Sequence, residues 1–182
     1  LENSDKGWLT AEYNMLPGSS DQRISRKSFE GGRSKEISRL IGRSLRSVCD
    51  LGILNGYSIT VDCDVLDADG GTRTASINGA WIALNETFNN LVDQKKLVQN
   101  PLTNQIAALS VGIVDGDLIA DLDYEKDSSA QVDLNLVLND NYEILEIQGT
   151  AEQKPFSKED LDKLFEMTKE EVNKVFDVQK NV

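Results

Sequence analysis

The sequence predicts an α+β fold, in which helices pack on mixed β-sheets, and three observations support this prediction. Apolar residues recur at helical spacing in three long segments, while in other segments they alternate with a period of two. These segments follow one another as strand, helix, strand, helix, a run of strands and a final helix. The chain has 182 residues, 39% of them hydrophobic, which suits a single domain over residues 1–182.

The first half of the chain is predicted to contain two strands and two helices. Trp8 and Tyr13 supply the aromatic bulk typical of a strand, and the Gly- and Ser-rich stretch after Pro17 favours a loop over a helix. Apolar residues at three- and four-residue steps favour helices. The predicted elements are a strand at 7–16, a basic loop at 17–32, a helix at 34–51, a strand at 57–65 and a helix at 75–93.

The second half is predicted to contain four strands and a C-terminal helix at about 157–178. Ser157 and Asp160 form a pattern similar to a capping box, which marks a helix start. An Asn-Asp-Asn turn at 139–141 favours a hairpin, and an acidic loop is expected around Glu125–Ser129. The predicted strands lie at 106–114, 118–124, 131–138 and 142–148.

Composition excludes several classes of function. The chain has no histidine, which excludes Ser-His-Asp and Cys-His catalysis and histidine-bound metals. Its two cysteines, Cys49 and Cys63, cannot form a zinc ribbon or a disulfide framework, and we expect them to be reduced thiols in a cytoplasmic protein. No apolar stretch approaches the roughly 20 residues of a membrane helix. Because the chain opens with Leu1, we expect a processed product or a fragment.

The chain is acidic overall, but its arginines are concentrated in one part of it. The net charge is −12, which taken alone argues against a nucleic-acid partner. All seven arginines, however, lie between Arg23 and Arg73, and residues 21–46 carry +5 while the rest of the chain carries −17. This basic segment, which includes Arg26 and Arg33, is either a helix surface balanced by acidic residues elsewhere or a surface that tracks a nucleic-acid backbone.

Two glycine pairs at predicted helix starts are candidates for anion binding. Gly71, Thr72 and Arg73 lie between a strand and a helix, where backbone amides, the helix dipole, a hydroxyl and a guanidinium all suit a phosphate. The spacing is that of neither a Walker A motif nor a dinucleotide fingerprint. Gly31-Gly32 likewise precedes Arg33 at the other helix start. The alternatives are an ordinary strand-to-helix turn at the first place and a surface arginine at the second.

Acidic residues between positions 121 and 133 form the other candidate site. Asp127 lies in a loop and Asp133 begins the next strand, so the two carboxylates could hold Mg²⁺, which keeps several of its waters. Asp133 interrupts an apolar run, and a carboxylate there needs a metal, an arginine or a backbone partner. Solvated turn residues are the alternative, which we favour for Asp121 and Asp123.

Phosphate-binding turns, a carboxylate pair and a cationic segment together fit phosphoryl or nucleotidyl transfer. The missing histidine agrees with a reaction in which inorganic phosphate is the nucleophile, because phosphate is already partly a dianion near neutral pH and requires no general base. Arginines and backbone amides would position the phosphate, and a metal would stabilise charge on the transferred phosphorus and the departing oxygen.

Several stretches of the chain resemble bacterial ribonuclease PH. They are KGWLTAEYNMLP at 6–17, GGRSKEISRLIGRSLR at 31–46, GGTRTAS at 70–76, DYEKDSSAQVD at 123–133 and EIQGTAE at 146–152. The resemblance implies the ribosomal protein S5 domain 2-type fold and a metal-dependent, phosphorolytic 3′-to-5′ exoribonuclease that trims tRNA precursors and releases nucleoside diphosphates. It also implies a homohexameric ring, built as a trimer of dimers, without membrane association.

The resemblance also assigns roles by position, with inorganic phosphate as co-substrate, Mg²⁺ or Mn²⁺ as cofactor and tRNA 3′ ends as the RNA partner. The implied catalytic residues are Arg33, Arg73, Asp127 and Asp133. The implied phosphate ligands are Arg33, Gly71, Thr72 and Arg73, the implied metal ligands are Asp127 and Asp133, and the implied RNA-binding residues are Arg23 and Arg26.

Three departures from the family pattern accompany this resemblance. Roughly the first 50 residues of the family domain are absent, so its N-terminal strands are expected to be missing. Gly18 stands where members commonly place an arginine, and the loop before Arg33 is shorter than usual. Both of these local departures bear on RNA binding.

Two alternatives to an active exoribonuclease stay open. One is a catalytically silent, exosome-like ring subunit that binds RNA or partner subunits, and the other is a non-RNA anion-binding domain of similar fold. The combination of Arg33, Arg73, Asp127 and Asp133 argues against the first, and the basic segment argues against the second.

Overall fold

The structure is a computed structural model that describes residues 5–182. Within that range the chain forms an α+β fold with one parallel and one antiparallel sheet, which confirms the predicted fold class. In chain order the elements are β1 (Trp8–Met15), α1 (Gly32–Ser47), β2 (Ser58–Val65), α2 (Thr72–Asp93), β3 (Ile106–Val114), β4 (Asp117–Ala120), α3 (Tyr124–Ser129), β5 (Val132–Asn139), β6 (Ile144–Ala151) and α4 (Lys158–Lys180).

The described residues divide into two compact units. The first comprises the chain up to Asp67 together with Gly79–Gln105, and the second comprises Ala68–Asn78 together with Ile106–Val182. The chain passes from the second unit back into the first within α2. The assignment of residues 1–182 to a single domain stays a prediction.

The first unit contains the two-stranded parallel sheet β1–β2, with α1 packed on β1. The strands pair in register from Trp8 opposite Ser58 to Met15 opposite Val65. Residues of β2 alternate between half-buried and exposed, as the period-two pattern predicts. The large side chains that are fully buried in this unit include Leu9, Ile37, Leu40, Ile41, Leu45, Leu54 and Phe88.

Side chains of α1 bond directly to the backbone of β1. Ser38 Oγ accepts a hydrogen bond from the Tyr13 amide at 2.9 Å, and Arg46 Nη1 donates one to the Leu9 carbonyl at 2.8 Å. The Arg46 guanidinium also lies over the Trp8 ring, 4.9 Å from its centre. One arginine of the basic segment therefore has a structural role.

The second unit contains a four-stranded antiparallel sheet in the order β4–β3–β5–β6. Helix α4 packs on one face of this sheet, and alternate residues of β3 and β5 point toward it. This core consists of Ala107, Leu109, Val111, Val132, Leu134, Leu136, Leu138, Leu164, Val172 and Phe176. Burial of each large side chain contributes about 1.5–3 kcal/mol. The opposite face of β5 carries three polar residues, Asp133, Asn135 and Asn139, together with the buried Val137.

Helix α4 begins as the sequence predicts. Ser157 Oγ accepts a hydrogen bond from the Asp160 amide at 3.1 Å, and Asp160 Oδ2 accepts one from the Ser157 amide at 3.1 Å. The capping box is therefore confirmed, although Asp replaces the usual Glu or Gln. The helix ends at Lys180, slightly beyond the expected end. Among the helices of residues 5–182, none combines the length and the apolar character needed to cross a bilayer.

The acidic segment around Glu125–Ser129, which was predicted as a loop, is helical and forms α3. Asp123 caps this helix, because its Oδ1 accepts a hydrogen bond from the Lys126 amide at 2.9 Å. The same carboxylate forms an ion pair with the Lys126 ammonium group. The loop prediction was wrong because a helix of six residues has too few turns to show an apolar period.

Two other segments also differ from the prediction. The basic loop at 17–32 contains a short 3-10 helix, Arg26–Glu30, whose first turn is capped by Ser25. The strand predicted at 118–124 ends at Ala120, because Asp121 has a φ of 57°, which does not belong to a strand. The first difference arises from the polar cap of Ser25, and the second arises from the left-handed backbone of Asp121. Neither feature depends on the pattern of apolar residues.

Candidate active site

The turn before α2 is shaped by two glycines. Gly70 and Gly71 have φ values of 75° and 53°, a region that favours glycine. A Cβ atom at Gly70 would lie 2.3 Å from the Leu122 carbonyl oxygen and 3.0 Å from the Asp123 Cα atom. The turn therefore fits closely against the segment that leads into α3, and only glycine fits there.

Helix α2 begins directly after this turn, three residues earlier than predicted. The Gly71 carbonyl accepts hydrogen bonds from the Ala75 amide at 3.0 Å and from Thr74 Oγ1 at 2.8 Å. Thr72 and Arg73 are thus the first two residues of α2, and no acidic residue lies in its first turn. The helix dipole and Arg73 contribute positive charge at this end of α2, and the Asp121 carboxylate lies close to Gly71.

The side chain of Arg73 reaches the sheet of the same unit. Arg73 Nη1 donates a hydrogen bond to Gln148 Oε1 of β6 at 3.0 Å. Gln148 is paired with Asn135 of β5, and residues paired across a sheet point to the same face. The guanidinium is therefore held at the polar face of β5 and β6, opposite α4.

Asp133 lies on this same face, two residues before Asn135. Its register partners are Gly112 of β3 on one side and Thr150 of β6 on the other. Its neighbours along the strand, Val132 and Leu134, point into the core against α4. The alternation of β5 thus places a carboxylate among polar side chains and not in the core.

The charge on Asp133 is poorly compensated. Burial raises the pKa of this carboxyl above its ordinary value, and the neighbouring charge of Asp127 raises it further. The Arg73 guanidinium lowers the same pKa, Glu152 raises it, and a hydrogen bond from Asn135 lowers it. Asp133 Oδ1 is buried and has no hydrogen-bond partner. An unpaired buried carboxylate oxygen beside a second carboxylate is the environment that a cation would stabilise.

Helix α3 connects this carboxylate pair to the glycine turn. Asp127 lies on α3, and the Tyr124 amide at its start donates a hydrogen bond to Asp69 Oδ1 at 3.1 Å. Asp69 immediately precedes Gly70, so the turn and α3 are bonded to each other. Asp123, for which the sequence favoured a solvated turn residue, is the N-cap of α3.

Asn78 holds the first part of α2 against the sheet. Its amide donates to the Ala108 carbonyl at 2.9 Å and accepts from the Ala108 amide at 2.7 Å. Strand β4 pairs with β3 only from Val111 to Val114, so the Asn78 side chain satisfies backbone groups at a part of β3 that β4 does not reach. Asn78 thereby fixes the position of the helix that carries Arg73.

The structure brings together five of the eight residues predicted for the site. Gly71, Thr72, Arg73, Asp127 and Asp133 all belong to the second unit. Arg73 and Asp127 both act electrostatically on Asp133, and Gly71 and Thr72 directly precede Arg73 in the chain. Arg23, Arg26 and Arg33 are exposed residues of the first unit. Arg33 is the second residue of α1, and Arg26 is the first residue of the 3-10 helix.

The residue types of this cluster suit a divalent ion with few protein ligands. Two carboxylates, Asp127 and Asp133, are available, and Mg²⁺ commonly binds one or two carboxylates and keeps several waters. In the part of the chain that the structure describes, no group of three or more acidic, cysteine or histidine side chains is arranged to hold a metal. An ion held by these two carboxylates alone would keep most of its water ligands.

Three polar residues of the cluster were not predicted, namely Asn135, Gln148 and Glu152. Asn135 is a buried polar residue of β5, a strand in which Asp133 and Asn139 also interrupt the apolar residues. This interruption is a signal in the sequence. Gln148 of β6, and Glu152 directly after β6, reach this cluster because β6 pairs with β5. That pairing shifts register between Val137 and Leu138, which no sequence pattern indicates.

The sequence is closely similar to known proteins. The profile of the 3′ exoribonuclease family, domain 1, matches residues 1–88, and that of domain 2 matches residues 104–171. Ribonuclease PH of Synechococcus sp. is 51% identical over 175 residues, which cover 96% of this chain and 71% of that protein. Ribonuclease PH of Dehalococcoides mccartyi is 50% identical over 185 residues, which cover 100% of this chain and 77% of that protein.

A solved structure shares the fold at lower sequence identity. Rice (Oryza sativa) Rrp46 superposes with a TM-score of 0.73 at 17% identity, and the match covers 97% of this chain and 73% of that chain. This likeness shows the fold alone, which is of the expected ribosomal protein S5 domain 2 type.

Proposed function

We propose that the cluster around Arg73 and Asp133 is the phosphorolytic centre of this chain. The premise is that the chain belongs to the 3′ exoribonuclease family and to its ribonuclease PH members. The activity of the chain is that of a phosphorolytic 3′-to-5′ exoribonuclease, a tRNA nucleotidyltransferase. Inorganic phosphate removes 3′-terminal nucleotides of tRNA precursors as nucleoside diphosphates.

The reaction exchanges one phosphorus–oxygen bond for another. An oxygen of inorganic phosphate attacks the phosphorus of the last phosphodiester, and the bond from that phosphorus to the 3′ oxygen of the preceding nucleotide breaks. The terminal nucleotide leaves as a diphosphate, and the 3′ oxygen takes up a proton to become the new end. Because the nucleophile is already an anion, this chemistry agrees with a chain that lacks histidine.

The proposed phosphate ligands are Gly71, Thr72 and Arg73 at the start of α2. Backbone amides at a helix N-terminus bind anions, and a guanidinium can contact two oxygens of a phosphate at once. The observation that carries this assignment is the hydrogen bond from Arg73 Nη1 to Gln148 Oε1, which holds the guanidinium on the sheet face that also carries the half-buried Asp133. It supports a phosphate-binding role for Arg73 beside a carboxylate that is proposed to bind the metal.

The proposed metal ligands are Asp127 and Asp133, with Mg²⁺ or Mn²⁺ as the ion. Bound there, the ion would neutralise developing negative charge on the reacting phosphate groups. The unpartnered, buried Asp133 Oδ1 and the raised pKa of this carboxyl support the assignment. The two carboxylates would hold the ion through their negative charge.

The roles proposed for the first unit rest on the sequence likeness. Arg33 is proposed as a further phosphate ligand and catalytic residue, and Arg23 and Arg26 as RNA-binding residues. Their exposure leaves them accessible to a ligand, and cations that contact phosphates supply most sequence-independent affinity for nucleic acids. RNA is the partner of this family, and we propose that the chain acts in the cytoplasm as a homohexameric ring, a trimer of dimers.

The test is phosphorolysis of a 3′-extended tRNA by the full chain. Mixtures with Mg²⁺, with and without inorganic phosphate, are analysed for RNA length and for nucleoside diphosphates. We expect diphosphates only when phosphate is present. RNA binding without any product would indicate a silent subunit, and the absence of both would overturn the proposed centre and the RNA partner together.

A further inference from the structure

The Tyr124 side chain lies outside the hydrophobic core of the second unit. It is 68% exposed, although it lies at the start of α3 beside the proposed centre. The other aromatic residues of the second unit have clear packing partners. Phe176 is buried, Phe156 and Phe165 pack against the same core, and Tyr142 donates a 2.8 Å hydrogen bond to Asn173.

The position of Tyr124 is fixed by the elements of the site itself. Its amide is bonded to Asp69 Oδ1 at 3.1 Å, and Asp69 precedes the Gly70–Gly71 turn. Asp127 follows Tyr124 by three residues on α3, and residues at this spacing lie on the same side of a helix. The backbone of Tyr124 is therefore bonded to the residue before the glycine turn, and Tyr124 lies about one helical turn before Asp127.

The charges around Tyr124 indicate what it can bind. The Tyr124 amide is bonded to Asp69, and three further acidic residues lie within three positions of this tyrosine in the sequence, namely Asp123, Glu125 and Asp127. Lys126 is paired with Asp123. The carboxylates beside Tyr124 disfavour a phosphate at its side chain, whereas Arg73 supplies the positive charge that a phosphate requires. The uncharged part of a nucleotide, its base, is compatible with these carboxylates, and an aromatic ring stacks on any base through its π-face.

We propose that Tyr124 binds the nucleobase of the 3′-terminal nucleotide of the RNA by stacking. This inference rests on the proposed function, because it assumes that the scissile phosphate lies at Arg73 and Asp133. An exonuclease that removes successive nucleotides has to hold every base, and stacking is tolerant of sequence in the way this requires. Tyr124 is thus a substrate-binding residue, separate from the phosphate and metal ligands.

The first test compares Tyr124→Leu with Tyr124→Phe in the full chain, with phosphorolysis of single-stranded RNA as the assay. The Leu variant should raise KM for RNA by about 10- to 100-fold, the loss expected when one stacked base loses its partner. Its KM for phosphate should stay unchanged, and the Phe variant should behave like the wild type. Tyr142→Leu is the matched control, because Tyr142 lies beyond the far end of β5, and it should leave both constants unchanged.

The second test measures equilibrium binding without phosphate, so that its result does not depend on turnover. RNA whose 3′-terminal nucleotide lacks a base should bind the wild type weakly, and Tyr124→Leu should bind it equally weakly. Removal of the penultimate base should instead lower the RNA affinity of both proteins by the same factor, because Tyr124 does not contact that base. The proposal would be overturned if wild type and Tyr124→Leu bound intact RNA equally well. It would also be overturned if removal of the terminal base weakened RNA binding by Tyr124→Leu as much as it weakens binding by the wild type. A wild type that binds RNA in this way but forms no diphosphate would overturn only the proposed function.

Discussion

Arg73 Nη1 lies 3.0 Å from Gln148 Oε1, so a guanidinium at the first turn of α2 is held by an amide of β6. A neutral amide orients the guanidinium without cancelling its charge. The same guanidinium lowers the pKa of Asp133, while burial and Asp127 raise it. In the proposed function, this guanidinium would contact a bound phosphate while also acting on the Asp133 carboxylate.

Replacement of Arg73 by Ala should abolish phosphate-dependent turnover while RNA binding stays measurable. Loss of one preorganised group that stabilises transition-state charge lowers kcat by about 100- to 1,000-fold. Gln148→Ala is the matched control, since it removes the hydrogen bond that orients Arg73 but keeps the guanidinium, and it should cause a smaller loss with a raised KM for phosphate. Our assignment fails if Arg73→Ala loses RNA affinity but keeps normal phosphate dependence.

Asp133→Asn should remove activity, and additional Mg²⁺ should rescue it poorly. The amide keeps the size of the side chain but lacks the negative charge that holds a divalent ion. The measurement is the initial rate of diphosphate release over a series of Mg²⁺ concentrations. Unchanged rates at low Mg²⁺ would refute a role of Asp133 in metal binding.

The same substitution should stabilise the metal-free protein at neutral pH. Because burial and Asp127 raise the pKa of Asp133, the folded state favours the protonated carboxyl, and ionisation at pH 7 opposes folding. Asp133→Asn should raise Tm in the presence of a chelator, and the difference should shrink as acid protonates the wild-type side chain. Mg²⁺ should raise Tm of the wild type only. A lower Tm for the variant at neutral pH would show that the charge is compensated.

Gly70→Ala should destabilise the chain and reduce its activity. The change adds a Cβ atom 2.3 Å from the Leu122 carbonyl and forces a φ of 75° on a residue that rarely adopts it. Gly116→Ala is the control for strain alone, because Gly116 has a φ of 91° and open space around it. We expect a loss of about 3 kcal/mol at Gly70 and about 1 kcal/mol at Gly116 in the free energy of unfolding. Equal losses would show that the turn can move away from α3.

Both cysteines should react slowly with alkylating reagents at pH 8. Burial, with smaller contributions from Asp62 and Asp64, raises the pKa of Cys63 to about 11, and burial with Asp50 raises that of Cys49 to about 11. The thiolate fraction should then be about 100-fold lower than that of an ordinary thiol. Rates of iodoacetamide labelling should climb with pH up to about 11 and should be high at pH 8 in denaturant. Rapid labelling of the folded protein at pH 8 would contradict these environments.

Much of the fold follows from local patterns, because the long elements carry strong apolar periods. Strand β2 alternates along its length, and the seam of α4 recurs every three or four residues through Leu164 and Phe176. The short helix α3 carries no such period and depends on one capping carboxylate, Asp123. Patterns of this kind predict which elements bury a face, but they do not predict short capped turns.

The site could be predicted only in part, for a related reason. Gly71, Thr72 and Arg73 are adjacent in sequence, so their chemistry is visible as a motif. Gln148 reaches Arg73 across 75 positions of the chain, and its place depends on a strand pairing with a register shift. Contacts that arise from such pairing leave no local signature, which is why Gln148 and Glu152 were found only in the structure.

The bond between Asn78 and Ala108 gives a way to observe the site without a substrate. The Ala108 amide donates to a side chain of α2, at 2.7 Å, and not to a neighbouring strand. Hydrogen exchange at this one amide therefore reports whether the start of α2 is seated on the sheet. A ligand that tightens the turn at Gly71 should slow that exchange, while motions confined to α4 should leave it unaffected. The NMR resonance of the Ala108 amide therefore reports how well ordered the N-terminal end of α2, the proposed phosphate-binding end, is.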